Sequence, residues 1–173
     1  SDRSNALIEG CPAIGDIDGD GILEIAVVDT KSVFIWKSNG LLLTGWPKKI
    51  PVSSSIENIG NFIMGQPILA DADGDGLSDV IFATADKIFA IRENGEMIRG
   101  FPKPCRDVIG YAVVDLNGDG YSDLVGYNRH SVRAYAWNLG IPYKPEDNDW
   151  PFRYRDVQQT SVYVPPVGRE SPR

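Results

Sequence analysis

Short apolar runs separated by turn-forming residues recur along the chain. Ile25-Ala26-Val27-Val28, Val80-Ile81-Phe82-Ala83 and Leu124-Val125 are unbroken apolar stretches. Runs this short, bounded by turn residues, predict strands rather than helices. The lack of polar alternation suits strands buried on both faces. Each is preceded by another short apolar stretch: Cys11 to Gly15, Ile68-Leu69-Ala70, or Ala112-Val113-Val114. Each is followed, after a polar turn, by a stretch rich in β-branched and aromatic residues. These are Val33-Phe34-Ile35-Trp36, Ile88-Phe89-Ala90-Ile91, and Val132 to Trp137. Asn39-Gly40 and Asn94-Gly95 then predict tight hairpin turns in which both residues take positive φ. A fourth, edge-like strand is expected to lead into Gly45-Trp46-Pro47 and Gly100-Phe101-Pro102. Only 56–64 leaves room for one helical turn.

The pattern is an internal repeat. Between the first two strands of each unit lies an acidic loop: Asp16-Ile17-Asp18-Gly19-Asp20-Gly21-Ile22-Leu23-Glu24, Asp71-Ala72-Asp73-Gly74-Asp75-Gly76-Leu77-Ser78-Asp79, and Asp115-Leu116-Asn117-Gly118-Asp119-Gly120-Tyr121-Ser122-Asp123. The first Asp positions are 55 and then 44 residues apart. Pro12 and Pro67 both precede their loop by four residues, and Tyr111 takes that place in the third copy. The first two copies align without a gap through Gly-aromatic-Pro; the third has Leu139-Gly140 one residue late and Trp150-Pro151 further on. Linker 48–64 absorbs the difference in period. Four short strands per unit of this length is the arithmetic of a β-propeller blade. The expected fold is all-β: one propeller-like segment over 1–173, built of three four-stranded antiparallel blades at approximately 10–47, 65–102 and 109–151. The tail 152–173, with Thr160 to Val164 as one strand, is a candidate to complete a blade.

Composition narrows the class. The chain has 173 residues, of which 24% are charged and 42% apolar, close to the globular average. Gly and Pro, 18 and 12 residues, are in excess, as many turns require. No apolar run approaches the length of a membrane helix. The net charge of −7 argues against a nucleic-acid partner, which would need a concentrated basic surface.

The acid is concentrated in the three loops, and there it has a chemistry. Oxygen side chains at positions 1, 3 and 5, with glycines at 4 and 6, let a tight backbone wrap aim carboxylates at one point. Position 7 can add a backbone carbonyl and position 9 a last carboxylate. This is all-oxygen coordination for a hard cation, and Ca²⁺ accepts six to eight such ligands. Cys and His are absent from the loops, which disfavours zinc; Mg²⁺ demands stricter geometry. An EF-hand would need Glu at position 12 and flanking helices, whereas position 12 is Val27, Phe82 and Gly126 and the flanks predict strands. Asp and Gly also dominate plain solvated turns, but three copies in one strand context favour binding.

The loops with their flanking strands resemble the calcium-binding FG-GAP or VCBS repeats of integrin α-chain propellers and their bacterial relatives, over about residues 10–140. The resemblance implies three Ca²⁺ sites. Its ligands would be Asp16, Asp18, Asp20, the Ile22 carbonyl and Glu24; Asp71, Asp73, Asp75, the Leu77 carbonyl and Asp79; and Asp115, Asn117, Asp119, the Tyr121 carbonyl and Asp123. Asn117 replaces an acid, so the third site should be weakest. It also implies an extracellular or cell-surface, non-enzymatic module with a structural, adhesion or assembly role. The alternatives are a fragment of a polysaccharide-lyase-like propeller and a calcium-dependent lectin. Expected partners are a protein, a second copy, further blades of a longer chain, or a glycan. Three blades would leave two sheet faces needing cover.

The remaining chemistry-bearing residues give weaker signals. His130, the only histidine, sits in a predicted turn. Glu57, Glu93, Glu96, Glu146, Asp147 and Asp149 lie near turns and are expected to be solvated. Trp46, Phe101 and Trp150, each followed by Pro, predict a hydrophobic plug at the blade end, with sugar stacking as the functional alternative. Cys11 and Cys105 permit one disulfide or two buried thiols.

Overall fold

The structure, a computed structural model, describes residues 11–29, 31–50, 63–128 and 131–151. It is all-β, with three antiparallel sheets. The first comprises β1 (Ala13–Gly15), β2 (Glu24–Val28), β3 (Ser32–Trp36) and β4 (Lys48–Lys49) in that order. The second comprises β5 (Ile63–Ala70), β6 (Asp79–Thr84), β7 (Lys87–Ile91) and β8 (Lys103–Pro104). The third comprises β9 (Val108–Val114), β10 (Tyr121–Asn128) and β11 (Ala134–Pro142). The register recurs at an offset of 55 residues: Ala26 faces Ile35 as Ile81 faces Ala90, and Val33 faces Lys48 as Ile88 faces Lys103. Each acidic loop joins the first two strands of its sheet, as expected.

Three details differ from expectation. The Asn-Gly turns are four-residue turns in which Gly40 N–H donates to the Lys37 carbonyl at 2.9 Å and Gly95 N–H to that of Arg92 at 2.8 Å. Only the glycine takes positive φ, while Asn39 and Asn94 accept the Leu41 and Glu96 amides at Oδ1. The fourth strands follow the Gly-aromatic-Pro motif instead of leading into it; before it, Leu42 and Met97 make single bridges to Trp36 and Ile91. The third sheet has three strands among the described residues, not four. There Leu139-Gly140 replaces Asn-Gly, and β11 runs on to Pro142 through an irregularity at Gly140, whose φ is 74°.

Two apolar layers hold the sheets together. Ala13, Ala26, Val28 and Ile35 of the first sheet meet Leu69, Val80, Phe82 and Ile91 of the second. The opposite face of the second sheet, with Ile68, Ile81, Ala83 and Ala90, meets Tyr111, Val113 and Leu124 of the third. All six residues of β6 are buried, as a strand covered on both faces must be. The equivalent strand β2 departs from that expectation: it alternates, and Ile25 is 39% exposed. Its local sequence is as apolar as that of β6, but no described sheet covers its second face.

After a single 3-10 turn at Pro145–Asp147, the chain returns between the sheets. Leu69 and Trp150 exchange two backbone hydrogen bonds of 2.8 Å, and Val113 N–H donates to the Pro151 carbonyl at 3.1 Å. Trp46 is buried, and its Nε1–H donates to the Glu93 carbonyl at 2.8 Å, tying the first sheet to the second. Trp150 is buried too and Phe101 packs on the second layer, which is the plug arrangement. Cys11 and Cys105 are both free; Cys11 is exposed and Cys105 half-buried, so neither the disulfide nor the pair of buried thiols is formed. His130, Glu57, the 56–62 stretch and the 152–173 tail lie outside the described residues.

Candidate metal centre

The three acidic loops close on themselves in the same way. Glycines at positions 4 and 6 take positive φ in every copy: 74° and 82° at Gly19 and Gly21, 88° and 87° at Gly74 and Gly76, 75° and 82° at Gly118 and Gly120. A side chain at these positions would be strained, so the tight wrap depends on glycine. The position-1 carboxylate accepts the position-6 amide: Gly21 to Asp16 at 3.1 Å, Gly76 to Asp71 at 3.0 Å, Gly120 to Asp115 at 2.9 Å. The position-5 carboxylate accepts the position-7 amide: Ile22 to Asp20 at 2.8 Å, with Leu77 to Asp75 and Tyr121 to Asp119 at 2.9 Å. The position-9 carboxylate accepts the position-2 amide: Ile17 to Glu24 at 3.0 Å, Ala72 to Asp79 at 2.8 Å, Leu116 to Asp123 at 3.2 Å. The loop backbone therefore orients its own acids.

In two loops the acids converge. Asp16, Asp18 and Glu24 each place a carboxylate oxygen within 4.8 Å of the others, and so do Asp71, Asp73 and Asp79. These are positions 1, 3 and 9. Asp20 and Asp75 at position 5 are exposed and lie outside the clusters. The third loop, expected to be the weakest of three sites, forms no such cluster of three acids, so two of the three expected sites show converging acids among the described residues. Its position 3 is Asn117, whose Nδ2 donates to Asp119 Oδ2 at 2.9 Å, and most of the loop is exposed.

Burial makes the two clusters costly to leave unneutralised. Glu24 is 0% exposed and Asp79 1%. Burial pushes the Glu24 carboxyl up to about 7, helped by the Asp18 and Asp20 charges and opposed by the Ile17 amide. Burial likewise pushes Asp79 up to about 8, with Asp73, Asp75 and Asp71 adding to the rise. Asp16 Oδ1, Glu24 Oε1 and Asp73 Oδ1 are buried and accept no hydrogen bond. Buried carboxylate oxygens in such a state fit a cation, since native structures otherwise satisfy such groups. The donor set is all oxygen, the preference of Ca²⁺.

Two basic residues at the same offset partly offset this charge. Lys37 Nζ lies 2.7 Å from Asp18 Oδ2 and 3.2 Å from Asp20 Oδ2. Fifty-five residues on, Arg92 Nε donates to Asp73 Oδ2 at 2.6 Å, and its guanidinium pairs with the same oxygen. Asn138, which lies opposite Asp123 in the third sheet, is neutral. The sequence carried this signal as a basic residue 21 positions after the first Asp in two repeats of three.

Asp149 corrects a second expectation. It is 1% exposed rather than solvated. Its Oδ2 accepts the Asp16 amide at 3.0 Å and the Ser78 hydroxyl at 3.1 Å. It thus joins the start of the first loop to the residue before the last acid of the second. Gly15 admits it: a Cβ there would lie 2.6 Å from the Asp149 Cβ. Among the other acids set aside, Glu96 and Glu146 are exposed, Glu93 is half-buried, and Asp147 pairs with Lys144 at 3.4 Å.

Comparison with known proteins agrees with these loops. The family model described as an FG-GAP-like repeat matches residues 16–82, the first loop through β6. No curated protein sequence matches the chain. Among solved structures, the chain is similar to the V. cholerae biofilm matrix protein Bap1, with a TM-score of 0.50 and 13% identity. The match covers 82% of this chain and 24% of that one, and at this identity it shows a shared fold.

Proposed function

Taking the FG-GAP-like repeat in residues 16–82 as the premise, we propose that the chain is an extracellular or cell-surface calcium-binding module. Its sheets are propeller-type blades, and its role is structural, in adhesion or assembly, without catalysis. The observation that carries this reading is the pair of buried carboxylate clusters, Asp16-Asp18-Glu24 and Asp71-Asp73-Asp79, with oxygens that accept no hydrogen bond. A bound Ca²⁺ supplies the positive charge these carboxylates lack. Asp16, Asp18 and Glu24 would hold it in the first loop, and Asp71, Asp73 and Asp79 in the second. The glycine-shaped wraps fix these residues before binding, so little ordering is needed. Position 9 opens the second strand of each sheet, which couples the loop to the fold: Glu24 begins β2 and Asp79 begins β6.

The extracellular setting follows from the affinity expected of such loops. Sites with few converging acids bind Ca²⁺ with Kd of roughly 10⁻⁴ to 10⁻³ M in extracellular modules, where the ion is millimolar. The described residues contain no helix long and apolar enough to cross a membrane. V. cholerae Bap1, to which the chain is similar in fold, is a biofilm matrix protein. Isothermal titration calorimetry tests the proposal. Two Ca²⁺ per chain are expected to bind, with the heat of one lost in Glu24→Gln and of the other in Asp79→Asn. Absence of Ca²⁺ binding at millimolar concentration overturns it.

A further inference from the structure

Lys37 and Arg92 occupy equivalent places in the first two sheets. Each stands one residue past the register pair that aligns the second strand with the third, Ile25 with Trp36 and Val80 with Ile91. That places each across from the last acid of its loop, Glu24 or Asp79, as Asn138 lies across from Asp123 in the third sheet. The base follows the number of acids. The first two loops hold four acids each and have a base at this place; the third holds three, with Asn117 at position 3, and has none. Every repeat thus keeps the same formal balance of three negative charges.

Both bases engage position 3, the acid that the third loop lacks. Lys37 Nζ lies 2.7 Å from Asp18 Oδ2 and also reaches Asp20 Oδ2 at 3.2 Å. Arg92 Nε donates to Asp73 Oδ2 at 2.6 Å. Asp73 is divided by this contact: Arg92 takes Oδ2, whereas Oδ1 is buried and accepts no hydrogen bond. In the first cluster Asp16 Oδ1 and Glu24 Oε1, on residues 7% and 0% exposed, are left in the same state. Each base therefore neutralises one edge of its cluster and leaves other buried oxygens unsatisfied.

We infer that Lys37 and Arg92 are placeholders for the ion: each offsets part of the carboxylate repulsion while no ion is bound, and each opposes Ca²⁺ when it enters. The inference rests on the calcium reading proposed above and adds that the chain sets its own affinity with one side chain just past β3 and one just past β7. An ion sharing the position-3 carboxylate meets a like charge on that carboxylate's other side, and Ca²⁺ affinity follows the charge of the site. The same charge lets the loop close without the ion. Stability without Ca²⁺ and affinity for Ca²⁺ are thereby set against each other.

Calorimetric titration with Ca²⁺, paired with melting in excess chelator, tests this on the full chain with Lys37→Met and Arg92→Met. Methionine keeps an apolar stem and removes the charge; Lys37→Gln and Arg92→Gln are the second variants if either fails to fold. Each Met variant is expected to tighten one of the two binding events about five- to tenfold, the scale of a unit charge against a divalent ion at a few ångströms in a water-like dielectric. Each is also expected to lower Tm in chelator by roughly 1–4 °C. Lys37→Arg and Arg92→Lys, which keep the charge, should stay within about twofold of the wild-type Kd. A merely structural role would lower Tm without tightening binding. Unchanged or weaker binding in the Met variants, with the wild type binding normally, overturns the inference and leaves the calcium reading standing. So does tighter binding with no loss of Tm in chelator. A wild type that binds no Ca²⁺ at millimolar concentration overturns both.

Discussion

Replacing Glu24 by Gln separates the two consequences of a buried ligand carboxylate. In the ion-free protein, burial raises the Glu24 carboxyl from its ordinary 4.5 to about 7. The unfolded chain titrates near the ordinary value. The folded protein therefore holds the proton more tightly, and the stability gained from it is fully present below about pH 4.5. That stability is lost as pH rises through about 7. The shift corresponds to roughly 3 kcal/mol at about pH 8. Gln is neutral at every pH, so Glu24→Gln escapes this loss. Against the gain stands the new amide N–H pair, which must find acceptors at a cost of about 1–2 kcal/mol. In excess chelator at about pH 8 the variant should be more stable than the wild type by about 1–2 kcal/mol, or roughly 2–8 °C in Tm. At about pH 4.5 the gain is absent while the amide cost remains, so the order should reverse and the variant be less stable by about 1–2 kcal/mol. In millimolar Ca²⁺ the order should narrow or invert, because the variant lacks a charged ligand. Differential scanning calorimetry at the two pH values, with and without Ca²⁺, reads all four conditions. A variant destabilised equally at both pH values in chelator would refute the buried, unneutralised carboxylate. An undiminished Ca²⁺-induced Tm rise would refute its role as a ligand.

Other perturbations test separate parts of the account. Millimolar Ca²⁺ should stabilise the wild type by roughly 0.4–1.4 kcal/mol per occupied site for Kd between 10⁻³ and 10⁻⁴ M, and a melting curve unchanged by chelator would contradict this. Asp119→Ala, in the exposed third loop, should alter Ca²⁺ binding less than Asp73→Ala; calorimetry showing the opposite order would reverse the ranking of the loops. Asp149→Ala leaves the Asp16 amide without its acceptor and the Ser78 hydroxyl with only the longer bond to the Asp147 carbonyl at 3.4 Å and should cost about 2–3 kcal/mol in urea denaturation, whereas Ser78→Ala should cost only about 1 kcal/mol. Trp46→Phe keeps an aromatic ring but removes the hydrogen bond to the Glu93 carbonyl, and should cost about 1 kcal/mol; a larger loss would mean that ring shape matters more than the bond.

The repeat was legible because its signals are local. Glycine at two fixed positions and acids at alternate ones specify each loop, and the third and fourth strands of the first two sheets recur with identical bounds 55 residues apart. The exposed face of β2 was not legible in its own sequence, because Ile25 and Val80 sit in equally apolar runs while only Val80 is buried. What differs is the neighbouring sheet, which no window around Ile25 contains. Asp149 was misjudged for a related reason. Glu146-Asp147-Asn148-Asp149 has the composition of a solvated turn, and its burial depends on partners as far as 133 residues away. That the third sheet has only three strands among the described residues was partly foreseeable, since the Asn-Gly signal is lost at Leu139-Gly140.

The Asp149 brace also orders events during synthesis. Hairpins such as β2–β3 and β6–β7 join near neighbours and close quickly, whereas contacts of long sequence separation wait for loop closure. The amide of Asp16 meets its acceptor only after another 133 residues have been made. A ribosome adding about 5–20 residues per second would hold the first acidic loop without that acceptor for roughly 7–27 seconds. Through that interval the seam between the first two sheets rests on apolar packing and on the Trp46 hydrogen bond. The lock of the first acidic loop is thus written 133 residues further along the chain, and truncation before Asp149 would leave a nascent chain with its seam unlocked.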